Sequence, residues 1–298
     1  MVGSAIVRRL AKEDCAIITA GRDQLDLIDQ AAVRAWFATE RPDVVFLAAA
    51  KVGGILANDS YPADFLYDNV MIEANVIEAA HRSGVAKLMF LGSSCIYPKF
   101  ANQPIVESSL LAGSLEPTNE WYAIAKIAGI KLAQAYRRQH GRDFISAMPT
   151  NLYGPGDNFG LKDSHVLPAL IHKAHRAKEE GRTSIEIWGS GSPRREFLHV
   201  DDLADACIFL MKHYSADEHI NVGSGSDVTI LELARIVCRA VGFSGDIVYD
   251  KSKPDGTPRK LMSAVRLQSM GWEPQTPLDE GIEATYNWFL DNLETLRR

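Results

Sequence analysis

Tyr122 and Lys126 stand four positions apart in Glu120-Trp-Tyr-Ala-Ile-Ala-Lys126. On a helix that spacing puts both side chains on one face. An ammonium beside a phenol favours the phenolate, which predicts a tyrosine pKa lowered from about 10 toward neutrality. Such a phenol can hand a proton to an alkoxide, the step that completes reduction of a ketone by hydride. A lone pair of this kind is more often one packed tyrosine and one solvated lysine. Here it has company. Upstream, Lys87-Leu-Met-Phe-Leu-Gly-Ser-Ser-Cys95 is an apolar run ending in hydroxyls and a thiol. A buried parallel strand that delivers Ser93, Ser94 and Cys95 at its C-terminal end sets them where open α/β sheets carry their chemistry.

The elements that must position these groups follow from hydrophobic patterning. The chain opens with a helix from Gly3 to Leu10, then a short apolar strand at Cys15 to Thr19 and a helix at Gln30 to Glu40 with Asp29 as N-cap. Val44 to Ala50 reads as a buried strand, Pro62 to Arg82 as a long helix and Lys87 to Leu91 as the next strand. Helix Glu120 to Gln139 and strand Phe144 to Met148 complete a βαβ alternation, which predicts a Rossmann-type doubly wound parallel sheet. After Pro149-Thr-Asn-Leu-Tyr-Gly-Pro155 loops lengthen and strands shorten, to Ile185–Trp188, Ile220–Val222 and Ile247–Tyr249. Helices are expected at 166–180, 201–212, 230–241 and 278–292. The division predicted is a cofactor-binding part over 1–150 and a smaller mixed α/β substrate lobe over 151–298, with about 196–225 returning to the first part.

Composition excludes several classes. A net charge of −6 argues against a nucleic-acid binder, whose footprint is basic. No run is long and apolar enough to span a membrane, and Arg8 and Arg9 interrupt any signal-peptide core. Cys15, Cys95, Cys207 and Cys238 lack metal-ligand spacing, so no metal is expected, and a chain of 298 residues does not need disulfides. Cys15, Cys207 and Cys238 read as core. The expectation is a cytoplasmic protein with reduced thiols.

Gly3 at the mouth of the first helix is either a simple turn or the last glycine of a dinucleotide loop, admitting a pyrophosphate to the helix N-terminus. Arg22 lies just past the second strand, where such sheets carry an acidic residue for a ribose 2′-hydroxyl or an arginine for a 2′-phosphate. The arginine favours NADP(H), with Asp23 beside it favouring the alternative. A dinucleotide sheet also begins with a buried strand, and none precedes Gly3. That strand belongs between Cys15 to Thr19 and Val44 to Ala50. Met1 is therefore expected to be internal to a longer natural chain, and a chain starting here to fold poorly and bind NADPH weakly.

Gly3-Ser-Ala, Leu47-Ala-Ala-Ala-Lys-Val-Gly-Gly54, Leu91-Gly-Ser-Ser-Cys-Ile-Tyr-Pro98, Glu116-Pro-Thr-Asn-Glu120, Tyr122-x3-Lys126 and Met148-Pro-Thr-Asn-Leu-Tyr-Gly154 together resemble the extended short-chain dehydrogenase/reductases. The similarity continues through Trp188-Gly-Ser-Gly, Arg195-Glu-Phe-Leu-His-Val-Asp-Asp202 and Lys253-Pro-Asp-Gly-Thr-Pro-Arg-Lys260. Cys95 after Ser-Ser narrows it to the bifunctional 3,5-epimerase/4-reductases of GDP-4-keto-6-deoxy sugars, since dehydratase relatives place carboxylates near this point. The resemblance implies that Ser93 and Tyr122 hold the C4 oxygen, that Lys126 binds the nicotinamide ribose, and that Cys95 and His165 are the acid/base pair of epimerisation. A thiol and an imidazole, with ordinary pKa values of about 8.5 and 6.5, bracket neutral pH and suit that task. Cys95 could otherwise be a small buried hydrophobe, and His165 a capping residue.

The same resemblance implies NADP(H) contacts at Val2, Gly3, Arg22, Asp23, Leu91, Gly92, Ser93, Ser94, Lys126, Pro149, Thr150, Asn151, Leu152 and His165. For a GDP-sugar it implies Lys173, Trp188, Arg195 and Asp255. Arg195 and Lys173 suit a diphosphate. Trp188 either stacks on guanine or fills core, and Asp255 either accepts from the guanine edge or merely shapes a turn. A homodimer pairing helices 62–82 and 120–139 as a four-helix bundle is also implied. Two other readings stand beside this one: a nucleotide-sugar 4-epimerase or 4,6-dehydratase holding NAD tightly, and a catalytically silent NADP(H)-binding sensor or scaffold.

Overall fold

A computed structural model of the chain describes residues 1–160, 164–253 and 255–296, with the backbone alone for Ile55. Its first half runs α1 (Val2–Leu10), α2 (Gln30–Glu40), β1 (Val44–Leu47), α3 (Ile55–Ser60), α4 (Pro62–Arg82), β2 (Lys87–Leu91), α5 (Glu120–His140) and β3 (Asp143–Pro149). The second half runs β4 (Asn151–Tyr153), α6 (Val166–Glu179), β5 (Ser184–Trp188), β6 (Arg194–His199), α7 (Val200–His213), β7 (Ile220–Val222), β8 (Asp227–Thr229), α8 (Ile230–Val241), β9 (Asp246–Asp250), β10 (Arg259–Lys260), α9 (Val265–Ser269) and α10 (Leu278–Asp291).

The main sheet has the order β1-β2-β3-β7, every pair parallel. Successive strand residues point to opposite faces, and the burial obeys that period. Leu88 and Phe90 of β2, with Phe144 of β3, pack into a core with Val33 and Phe37 of α2, Val76 and Ile77 of α4 and Ile130 of α5. Met89, Leu91, Ile145 and Ala147 face the other way, onto Ala5 and Ile6 of α1 and Leu203 and Cys207 of α7. Helices on both faces make this a doubly wound sheet, as the βαβ alternation predicts. β7 joins it from late in the chain.

α1 is held mainly by α7. Beyond Ala5 and Ile6, Arg8 pairs with Asp201, Arg9 with Asp205 at 2.7 Å, and Lys212 with Glu13 at 2.6 Å. α2 starts as its sequence dictates, with Asp29 Oδ1 accepting from the N–H groups of Ala31 and Ala32.

Two expectations fail between α1 and α2. Residues 15–19 form no strand, and 14–24 are exposed throughout. An extended segment needs a neighbour to satisfy its backbone groups, and among the described residues none lies alongside it, nor beyond the outer edge of β1. Cys15 is consequently exposed, not core, whereas Cys207 and Cys238 are buried.

A further core forms later in the chain, in which Leu170 and Ile171 of α6, Ile185 and Ile187 of β5, Val237 of α8 and Phe289 of α10 meet. β4 and β10 flank β6 in parallel, β8 pairs with β6 antiparallel, and β5 pairs with β9.

Candidate active site

The C-terminal ends of β2 and β3, the first turns of α1 and α5, and the stretch leading into β10 supply the site. β2 ends at Leu91, and Gly92 follows with its N–H bonded to the Ala147 carbonyl of β3 at 3.0 Å. A Cβ on Gly92 would stand 2.3 Å from Met148 Sδ, so a larger residue here would have to push that side chain aside. The chain then turns into a single 3-10 turn over Ser94–Ile96, with Ser93 as its N-cap. The turn folds Cys95 back on Ser93: Ser93 Oγ and Cys95 Sγ are 2.9 Å apart and share a hydrogen bond.

Tyr122 approaches from the first turn of α5. Its hydroxyl hydrogen-bonds with Ser93, and its ring meets Phe65 edge-on at 6.4 Å. Ser93, Cys95 and Tyr122 therefore form one connected set of two hydroxyls and a thiol. The expected lowering of the tyrosine pKa is not what this packing gives. Burial pushes the phenol well above its ordinary value, with the nearby charges of Cys95 and Glu73 adding to the rise and the Ser93 hydrogen bond opposing it. Lys126 does not reverse that rise. Its side chain is 2% exposed and its Nζ stands 2.9 Å from Oε1 of Glu73, so the cation is already offset. The ammonium lies 4.7 Å from the centre of the Phe90 ring and 5.9 Å from that of Tyr122. The phenol is held protonated, which is the state a proton donor needs.

His165 takes the residue position just before α6 and makes no side-chain cap. It is open to water on one side and crowded by protein on the others. That crowding pushes its pKa below the ordinary imidazole range, and the charge of Lys260 pushes in the same direction. A neutral imidazole at neutral pH follows. Lys260 also interacts with Cys95, Arg195 and Glu116, and is itself pushed down chiefly by burial. It thus links the thiol, the imidazole and Arg195. The sequence alone gives Lys260 no part. A lysine closing a Gly-Thr-Pro-Arg-Lys run was the available signal. Glu73 was missed as well, and an acid in mid-helix gives no signal at all.

The nucleotide-sugar candidates gather along the stretch 255–260. Trp188 is 52% exposed, which removes the core reading, and Lys173 and Lys253 both lie over its ring, at 5.6 and 5.7 Å. Asp255 joins the same corner: it accepts from Ser190 N–H at 2.6 Å and from Ser190 Oγ at 2.9 Å. Pro254, which completes the Pro-Asp-Gly turn, lies outside the described residues. Arg195 donates through Nη1 to the Arg194 and Thr257 carbonyls, and among the described residues no carboxylate lies within ion-pair distance of it. Burial pushes its pKa down, with Glu116 opposing. Lys173 donates to the Glu186 carbonyl at 3.2 Å and is also pushed down by burial.

At the cofactor end, α1 begins at Val2 with no side-chain cap and no acid in its first turn, and a Cβ on Gly3 would meet nothing within 4 Å. An uncapped helix start, open space and the lack of an acid in the first turn fit an anionic pyrophosphate. Arg22 and Asp23 are exposed. Leu91, Gly92, Pro149 and Leu152 bring backbone and apolar surface at the strand ends. Ser94 and Thr150 are buried, and Asn151 Nδ2 donates to the Glu196 carbonyl at 2.8 Å. The Asn151 amide thus ties β4 to β6.

Residues 1–223 match the NAD dependent epimerase/dehydratase family, and the chain belongs to it. It is 64% identical to the GDP-L-fucose synthase of Sinorhizobium fredii (strain NBRC 101917 / NGR234), over 98% of this chain and 93% of that protein. To the GDP-L-fucose synthase of Escherichia coli (strain K12) it is 56% identical, over 100% of this chain and 96% of that one. Among solved structures, a GDP-L-fucose synthetase from Naegleria fowleri bound to NADP superposes with a TM-score of 0.91 at 31% identity, over 100% of this chain and 93% of that one.

Proposed function

We propose that this chain converts GDP-4-keto-6-deoxy-D-mannose to GDP-L-fucose, by epimerisation at C3 and C5 followed by NADPH-dependent reduction at C4. The observation that carries the reading is that Ser93 bonds both to Tyr122 and to Cys95, whose sulfur is 2.9 Å away. One oxygen-binding pocket can then serve both reactions. The relatives named above support the sugar nucleotide and the cofactor.

Carbons 3 and 5 flank the C4 ketone, so their protons are acidic once donors stabilise the oxygen of the enolate. Ser93 and Tyr122 hydroxyls are those donors. Cys95 and His165 are the acid/base pair: one takes a proton from one face while the other returns one on the opposite face. NADPH, when bound, supplies the hydride to C4, and Tyr122 gives its hydroxyl proton to the C4 oxygen. Val2 and Gly3 would hold the pyrophosphate, Lys126 the nicotinamide ribose, and Arg22 the 2′-phosphate with Asp23 beside it. Arg195 and Lys173 would take the diphosphate of the sugar nucleotide. The exposed Trp188 ring would stack on guanine, and Asp255 would lie at the guanine edge. In this reading 1–150 and the returning 196–225 serve the cofactor, and the rest of 151–298 the sugar.

The decisive experiment incubates the protein with NADPH and the keto sugar and identifies the product by NMR. GDP-L-fucose is expected. A C4-reduced product with unaltered C3 and C5 would remove the epimerase half, and no turnover would remove the whole reading.

Arg22→Ala is expected to weaken NADPH while leaving NADH nearly untouched. A charge-assisted contact to a phosphate contributes about 1.5–3 kcal/mol, roughly a 10–150-fold change in affinity. Titration of both cofactors checks it, and equal losses would show that Arg22 does not read the 2′-phosphate.

The reading also includes a homodimer through α4 and α5, whose outward Tyr67, Trp121 and Ile124 are partly or largely exposed. Sedimentation tests that. Among the described residues no helix is long and apolar enough to cross a membrane. We place the reaction in the cytoplasm, with NADPH and sugar nucleotides.

A further inference from the structure

Glu73 is a charged group at the site with no part in the chemistry so far. It lies on α4 with 1% of its surface exposed, and its Oε1 is 2.9 Å from Lys126 Nζ. A buried charge survives only with a partner, and each of these two is the other's. The room for it is made by α5. A Cβ on Gly129 would stand 2.6 Å from Glu73 Oε2 and 2.5 Å from Phe90 Cζ, so a glycine here is what admits a carboxylate between the helices. The ammonium of Lys126 has three donor directions, and Glu73 fixes one of them.

We propose that Glu73 is a positioning residue for the C4 reduction: through its buried ion pair it holds Lys126 beside Tyr122 and offsets the lysine charge, so that the phenol keeps its proton until the C4 oxygen takes it. The inference rests on the reduction assigned under Proposed function. The titratable groups facing Tyr122 are Cys95 from the 3-10 turn, Lys126 from its own helix and Glu73 from α4. Those facing Glu73 are Lys126 and Tyr122. Burial pushes Glu73 up to about 7, with Lys126 pulling against it. Glu73 raises the phenol pKa, so losing its charge lowers it.

Glu73→Gln keeps the shape and removes the charge. With NADPH and the keto sugar, the alkaline limb of kcat/KM for reduction is expected to move to lower pH by about one unit, because the phenol deprotonates earlier. Glu73→Asp, which keeps the charge, is expected to hold the limb near its wild-type position. A merely structural role would lower the rate evenly across pH and leave the limb in place, and that result overturns the proposal. A second readout needs no sugar: the ring ¹³Cζ titration of Tyr122 in the NADPH-bound protein should move with the same sign. If the wild type does not turn over the keto sugar yet this titration moves, the function assigned above falls and the Glu73 coupling stands. If the titration does not move, the coupling falls whatever the turnover. Should Glu73→Gln not fold, the wild type decides. Tyr122 ¹³Cζ must then show a small inflection at the pH where Glu73 ¹³Cδ titrates, and its absence sinks the proposal.

Discussion

Reduction at C4 should fall by roughly 10²–10⁴-fold when Tyr122 is replaced by phenylalanine, the loss typical of removing a positioned general acid. The substitution deletes one hydroxyl and leaves the ring, so the edge-on contact with Phe65 survives and NADPH affinity should change little. Ser93 loses its hydrogen-bond partner in Tyr122 but keeps Cys95. Proton exchange at C3 and C5 should therefore suffer less than hydride transfer, because Ser93 still donates to the oxygen. Single-turnover oxidation of NADPH, followed by its absorbance, gives the reduction rate. A Tyr122→Phe variant that reduces at the wild-type rate would mean that the proton reaches C4 by another route.

Cys95→Ser is expected to reverse that ranking. A serine hydroxyl is a far weaker acid than a thiol, so its alkoxide is not available as a base at neutral pH. Exchange of the C3 and C5 protons with solvent deuterium should drop by roughly 10²–10⁴-fold, while hydride transfer to the ketone is reduced less. The oxygen replaces a sulfur already 2.9 Å from Ser93 Oγ, so that contact can be retained in the variant. NMR of the recovered keto sugar reads both positions separately. If both still exchange at the wild-type rate, Cys95 is a packing residue. If only one is lost, the two carbons use different bases, and His165→Gln becomes the variant to test.

What could be read before any coordinates were known follows the strength of local signals. α4 falls at Pro62–Arg82 as anticipated, because a proline at its start and apolar residues at helical spacing specify it locally. Asp29 likewise announces α2. β6 gave no such notice: Arg194-Arg-Glu-Phe-Leu-His looks like a polar surface segment. It becomes a strand because β4, β8 and β10 surround it, and because buried Glu196 accepts from the N–H groups of Gly225 and Met262. Residues 15–19 fail in the opposite sense, apolar enough for a strand but with no strand beside them. At the site, the type and spacing of Tyr122, Lys126, Ser93 and Cys95 were legible. The direction of the tyrosine shift was not, since it follows chiefly from how deeply the phenol is buried, with a nearby carboxylate charge adding to it. That charge comes from Glu73 on another helix, and only packing of α4 against α5 brings it there.

The clasp between α1 and α7 has a consequence for how the molecule is made. The groups that pair across it are 193 to 199 positions apart in the chain. Contacts of such long range form late, because the loop between them must be closed before they stabilise anything. Until α7 has been made, Ala5 and Ile6 can be covered from the sheet side alone, by residues of β2 and β3. The Tyr122 end of the site has no such delay, since α4, β2 and α5 follow one another directly. The contacts of α4, β2 and α5 around Tyr122 can thus form before α1 gains its ion pairs to α7.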